Sequence, residues 1–312
     1  MLMQSIGFAL SATLPVSIII LLGVVLKYKT WITDEFALIG SRLVFNLTLP
    51  ALLFVNIVNT TLTSAMPVKL ILVALLIMTL AFIVTHYLAY AIPRQDARGA
   101  FVQGTCRGNM AIIGLALAAN AFDAQGLGLA SIYLAALVIP GNVYSIVTLY
   151  LHQATAPSLQ TIARSVVTNP LAIAIMVAVT CKVLNLSIPA VLMETGQHLA
   201  KMTLPLALIC VGASIRWHEF KASRLLYIAI FGKIVLLPLI ATLLGFAFGL
   251  RDTALGILFV MMAAPTAAAA YPMIRSIGGD YHLTAAIIAG STLFSIISST
   301  FGLFLLHYLR WV

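Results

Sequence analysis

Long apolar runs, separated by short polar stretches, make up most of the chain. They cover residues 6–26, 36–58, 68–92, 99–121, 127–151, 165–185, 190–215, 223–248, 253–275 and 282–309. Each is close to or above the ~20 mostly apolar residues a helix needs to cross a bilayer's hydrocarbon. Thr30 to Glu35, Asn59 to Thr63, Pro93 to Arg98, His152 to Gln160 and Arg216 to Lys221 are polar or turn-forming and separate several of them. The pattern predicts an all-α polytopic membrane protein with ten transmembrane helices and short loops. The first run reads as a membrane span rather than a secretory leader. It has no positive region before it, is too long for a signal core, and is followed by Lys27 and Lys29.

Composition sharpens this reading. Of the 312 residues, 62% are apolar and 8% charged, against roughly 45–50% and about 25% in an ordinary soluble domain. Mean hydropathy is +1.11, and the spans leave no room for a sizeable soluble domain. The net charge of +9 does not point to nucleic acid, since no basic stretch forms a patch with aromatics between its charges. It follows the loops instead. Lys27, Lys29, Arg94, Arg98, Arg164, Arg216, Lys221, Arg224 and Arg275 fall in odd-numbered loops; Lys69, Lys182, Arg251 and Arg310 fall in even-numbered loops or at the ends. Nine against four predicts cytoplasmic odd loops and both termini on the outer, periplasmic side. Cys106, Cys181 and Cys210 sit inside apolar runs without metal-ligand spacing and read as packing residues. The six histidines are scattered, with no metal pair at helical spacing and no nucleophile-plus-base motif, so neither a metal nor a cofactor is expected and the chain is not read as an enzyme.

A repeat organises the spans. A shift of 155 residues lays Pro15 on Pro170, Lys27 on Lys182, and Thr48-Leu49-Pro50 on Thr203-Leu204-Pro205. The chain therefore divides into a first five-helix repeat at residues 1–155 and a second at 156–312. Five is odd, so the second copy enters the membrane upside down, an architecture common among secondary transporters. In such carriers the solute sits near the midplane between helices interrupted at matching places. Helix four contains Gly104-Thr-Cys-Arg-Gly108-Asn109-Met-Ala-Ile-Ile-Gly114, and helix nine contains Met261-Met-Ala-Ala-Pro265-Thr266-Ala-Ala-Ala-Ala-Tyr271-Pro272. The shift puts Met110 on Pro265, so the two irregularities fall at equivalent heights. Half-helices ending there would present free amides, which favour an anion; the alternative is that Pro265 only kinks its helix and the glycines only pack against neighbouring helices.

The intramembrane charges agree. All eight acidic residues fall in loops or at helix ends, whereas Arg107 adjoins the expected break and Lys233 lies midway along helix eight. A charge at mid-bilayer costs at least ~2.5 kcal/mol on insertion scales and usually lines a polar pathway. A small anionic solute is expected, with Arg107, Gly108, Asn109, Gly114, Asn142, Lys233, Pro265 and Thr266 as candidate solute-binding residues. Arg42 and Lys201 can snorkel from helix ends, and Asn46 can serve packing. With no mid-membrane acid, proton coupling, sodium coupling through carbonyl oxygens and uncoupled diffusion are all compatible with the sequence.

Several motifs resemble the auxin efflux carrier family: Asn46-Leu-Thr-Leu-Pro50-Ala, Gly108-Asn109 followed by Gly114-Leu115, Pro140-Gly-Asn142, Asn169-Pro170, and Lys233 five residues before Pro238. The resemblance spans essentially the whole chain, and the short length is similar to the bacterial branch. It implies crossed discontinuous helices four and nine in a bile-acid sodium symporter-like fold. It also implies a scaffold of helices one, two, six and seven, a transport part of helices three to five and eight to ten, and elevator-like alternating access. It further implies malonate or another small carboxylate as solute, the bacterial inner membrane as location, and a possible homodimer. Asn109 matches the crossover asparagine that holds the solute carboxylate, and Pro265 the crossover proline. Family members often carry proline after Gly-Leu in helix four, where this chain has Ala116. A competing expectation is a channel-like or uncoupled facilitator using the same site. Besides solute and a second copy, the expected partners are membrane lipids.

Overall fold

The computed structural model describes residues 1–60, 66–152, 160, 163, 167–215 and 223–312. Arg164, Arg216 and Lys221 lie outside the described residues, as do the start of the sixth apolar run and most of the stretches 59–63 and 152–160. Among the described residues the elements are helical: α1 Leu2–Tyr28, α2 Asp34–Leu43, α3 Leu49–Asn59, α4 Met66–Ala89, α5 Gln95–Cys106, α6 Leu115–His152, α7 Pro170–Val183, α8 Ala190–Ala213, α9 Arg224–Phe231, α10 Leu237–Ala247, α11 Asp252–Ala263, α12 Ala270–Ile277 and α13 Tyr281–Tyr308. A spanning helix satisfies its own backbone, which lipid cannot do. The polar residues between runs act as caps. Thr33 Oγ1 accepts from Phe36 N at 3.1 Å, Asn169 Oδ1 from Leu171 N at 2.9 Å, Ser223 Oγ from Leu226 N at 3.1 Å, and Asp280 Oδ1 from Leu283 N at 2.9 Å.

By length and composition, six described helical stretches can cross a membrane: Leu2–Tyr28, Asp34–Asn59, Val68–Ala89, Met110–His152, Arg224–Ala247 and Tyr281–Tyr308. Three differences from the ten-run reading have visible causes. The runs 99–121 and 253–275 are each cut midway, leaving α5 and α11 at 12 residues apiece. The gap expected at 122–126 is not a loop. Phe122 and Asp123 depart from helical torsions, Asp123 with φ +53°, and the helix resumes, so the fourth and fifth runs join at a sharp bend. Before Pro50 and Pro238 the helices carry wide π-helical turns, Val44–Thr48 and Gly232–Leu236. A proline lacks its amide donor and crowds the preceding turn, and one inserted residue relieves both. Pro205, the counterpart of Pro50, sits inside the unbroken α8.

Helix α1 packs along α8 and α13, and α3 along α7 and α8. The α1–α8 seam is close because Gly23 and Gly212 face it: a Cβ on Gly23 would overlap the Ile209 carbonyl, and one on Gly212 the Ile20 carbonyl. Small residues of this kind let backbones approach where no hydrophobic force drives helices together. Large apolar side chains such as Leu72, Val191, Ile297 and Phe301 are exposed, as expected of a lipid-facing surface.

Candidate solute site at the interrupted helices

Helix α5 stops at Cys106, and residues 107–109 leave helical geometry before a wide turn, Met110–Gly114, starts the next segment. Helix α11 stops at Ala263, and α12 begins at Ala270. The two gaps meet. Gly108 and Thr266 form an antiparallel bridge, with Asn109 N donating to Pro265 O at 2.6 Å and Ala267 N to Arg107 O at 2.9 Å. Thr266 closes the remaining vacancies: its Oγ1 donates to Gly104 O at 2.6 Å and its N to Ser291 Oγ at 3.1 Å. Irregular backbone survives at such depth only when its polar groups find partners, and here each gap supplies them to the other. Gly108 suits the approach, since a Cβ would lie 3.1 Å from Lys233 Nζ and 3.3 Å from Ala264 O, tighter than most such contacts.

A cavity of about 1130 Å³ opens beside this junction. Arg107, Gly108, Asn109 and Asn142 line it, together with Asn46, Arg42, Tyr271 and Arg275; Asp34 and Glu35 also border it. The Arg107 guanidinium donates to Asn142 Oδ1 at 2.9 Å and contacts Met273 Sδ, which fixes its orientation. Asn109 is only 7% exposed and borders the cavity. The amides of Met110, Ala111 and Ile112 open a helical segment and have no intrahelical acceptors, whereas Ala270 N and Tyr271 N donate to Ala267 O and Ala268 O at 3.0 and 3.2 Å; Met110, Ala111, Ile112, Ala268 and Ala269 border the same space. Asp34 pairs with Lys27. The residues near the break thus supply the guanidinia of Arg107 and Arg275, the side-chain amides of Asn109 and Asn142 and the helix N-terminus at Met110, a set suited to a carboxylate.

Four expected site residues do not line this cavity. Pro265 and Thr266 are consumed in building the junction, and Gly114 is buried with its Cα facing Met261 Sδ. Lys233 is the informative case. It is 1% exposed, borders a separate small void shared with Cys106 and Gly108, and donates to Met262 O at 3.0 Å. Its charge therefore meets the carbonyl end of α11, where the helix dipole is negative, rather than the open cavity. Sequence reasoning missed Tyr271 and Arg275 on the far side of the break. Their spacing of four on α12 puts them on one face, and that spacing was the available signal.

A model of the membrane transport protein family, the auxin efflux carrier family, matches residues 8–159 and 152–303. The chain belongs to that family and is a multi-pass membrane transporter, consistent with its not being an enzyme. No curated protein matches it.

Proposed function

We propose that this family member is a secondary carrier of small organic anions, mono- or dicarboxylates, in a bacterial inner membrane, working by alternating access. The solute carboxylate sits at the junction of the interrupted helices, against Arg107 and Asn109 and the amides of Met110, Ala111, Ala268 and Ala269. The observation that carries this is the sorting of charge at the break. Cationic and amide groups face the large cavity, while the carbonyl end of α11 is turned to Lys233. An anion entering from water trades hydration for preplaced donors in a low-dielectric setting, where each is worth more than in water.

The crossed, inverted-repeat arrangement is part of the proposal. Under the 155-residue shift α1 falls on α7, and α8 on α2 and α3. The pairings α1–α8 and α3–α7 are then two versions of one contact. Helices one, two, six and seven form the scaffold, and the segments around the break move the solute.

The test is uptake of radiolabelled malonate and related mono- and dicarboxylates into proteoliposomes holding the purified full chain. Saturable uptake with a carrier's turnover is expected, and Asn109→Ala should abolish it while leaving folded protein in the membrane. Ohmic anion currents far above a carrier's rate would overturn alternating access. Normal uptake by Asn109→Ala would remove the solute from the junction.

A further inference from the structure

A buried polar seam runs away from the solute site along the contact of α5 with α6. Its inner rung is Arg107, donating to Asn142 Oδ1 at 2.9 Å. Next, Gln103 Nε2 donates to Ser145 O at 3.1 Å and to Thr148 Oγ1 at 3.3 Å. The outer rung is Gln95 Nε2, donating to His152 O at 3.1 Å. There His152 Nε2 meets His86 Nδ1 of α4 at 3.1 Å. Gln103, Ser145, Thr148 and His152 are all buried. Gln103 Oε1, Ser145 Oγ and His152 Nδ1 have no partner among the described residues. A buried polar atom without a partner costs stability, so three of them on one seam call for a reason.

The fold itself does not require them. Under the 155-residue shift Gln95, Gln103 and Arg107 fall on Leu250, Leu258 and Met262, and Asn142 and Thr148 on Ile297 and Leu303. Ser145 keeps a hydroxyl, as Thr300. Leu258 and Leu303 are fully buried, so the corresponding seam between α11 and α13 is packed with apolar side chains. His86 falls on Ala241, and His152 on His307, which contacts Ser5 Oγ of α1 at 2.9 Å instead. The histidine pair thus has no counterpart in the second half of the chain.

We infer that the His86–His152 pair is a proton site linked to the solute site, holding a proton more tightly when a carboxylate is bound at Arg107 and Asn109. The inference rests on the carrier reading above. Two neutral imidazoles bring one N–H each, and their contact uses one of them. A proton added from water keeps that shared N–H and leaves the pair with one positive charge. His86 is half-buried and within reach of water, whereas His152 is 2% exposed. Around the pair stand Tyr87 and Tyr90 of α4, with ring centres 5.4 and 5.2 Å from that of His86. Arg98 of α5 lies 5.6 Å over the Tyr90 ring and adds a like charge. Asp96 and Asp280 are already held by Arg94 at 2.7 and 2.8 Å. A bound carboxylate is then the counter-charge the pair gains. Asn142 and His152 lie on one helix, about 15 Å apart at 1.5 Å per residue. At that separation and an effective dielectric constant of about 20, anion and charged pair favour each other about sixfold. The factor is reciprocal: solute binds more tightly as pH falls through the pair's titration, and bound solute draws in the proton.

Calorimetry of malonate binding to the purified full chain tests this at about pH 8 and about pH 5.5, either side of histidine's ordinary range. Lowering the pH should strengthen binding about sixfold more in the wild type than in His152→Gln, since the solute's own titration is common to both. His86→Ala, which installs the residue of the equivalent position, removes the pair should the first variant fold poorly. In weakly buffered solution malonate should draw more protons from the medium with wild type than with either variant. Equal pH ratios and equal proton uptake in wild type and variants would overturn the link. Histidine-selective NMR separates this from the carrier reading. Two of the six histidines should titrate as one coupled step, and that step should vanish in His86→Ala. Independent titration of every histidine would refute the proton site whatever the solute is. Absence of binding by malonate and every other carboxylate tried would overturn the link together with the anion reading, while the spectra would still decide the pair.

Discussion

Replacing Arg107 by glutamine removes the positive charge carried by the interrupted link itself, leaving Arg42 and Arg275 at the border of the large cavity. The guanidinium is oriented by Asn142 Oδ1 at 2.9 Å, so its charge is already aimed and little ordering is needed on binding. Two unit charges about 4 Å apart interact by ~4 kcal/mol at an effective dielectric constant of 20. Part of that replaces hydration of the free anion, leaving a charge-assisted hydrogen bond worth ~1.5–3 kcal/mol. Glutamine is shorter by two atoms and uncharged but keeps an amide NH2 donor, so the expected net loss is ~2 kcal/mol, or about 30-fold in affinity. The purified variant should show a correspondingly weaker thermal shift with malonate, and its uptake curve should move to higher concentration. The companion change Asn142→Asp sets a carboxylate against Arg107 in the same shape and should weaken binding similarly, since the solute must then displace an internal rival. An Arg107→Gln protein with wild-type affinity would refute the claim that this cation recognises the solute.

Three other outcomes follow from the geometry. Lys233→Met should lower the maximal uptake rate and leave the half-saturating concentration nearly unchanged, because Lys233 supports the Met262 carbonyl and does not line the cavity; proteoliposome kinetics would show the split. Thr266→Val should lower thermal stability, since the Gly104 carbonyl loses its 2.6 Å donor and an unpartnered buried group costs ~1–3 kcal/mol; Thr266→Ser should recover it. Gly212→Val should sharply reduce the yield of monodisperse protein in detergent chromatography, because even a Cβ would overlap the Ile20 carbonyl across the α1–α8 seam.

Much of this was legible in the residues because lipid leaves a chain few choices. Apolar length marked the spans, and Thr33, Asn169, Ser223 and Asp280 stand where helices start. Glycine and proline at matched heights marked the two interruptions. The sharp bend at Phe122 and Asp123 was not legible, since a polar residue amid glycines looks the same in a loop and in a kinked helix. Nor did Pro50 and Pro205, identical in local sequence, announce that one follows a π-helical turn and the other sits in regular helix. That difference is set by tertiary packing, which a repeat in sequence cannot encode.

Intramembrane charge was a sound pointer to the site but a poor one to its parts. Arg107 and Lys233 are both cations near one break and look alike as entries in a hydropathy profile. The backbone separates their roles. At a junction of half-helices the carbonyl ends are negative and the amide ends positive, so each charged group is drawn to the end that complements it. Lys233 answers the carbonyl of Met262 and is sealed from water. Arg107 lies on the extended link between two segments, held by Asn142 on the wet side. A cation that completes the protein's own hydrogen bonds has little left for a guest. Arg107 spends donors on Asn142 and Met273 yet keeps its face to the cavity, and is therefore the one a solute can engage.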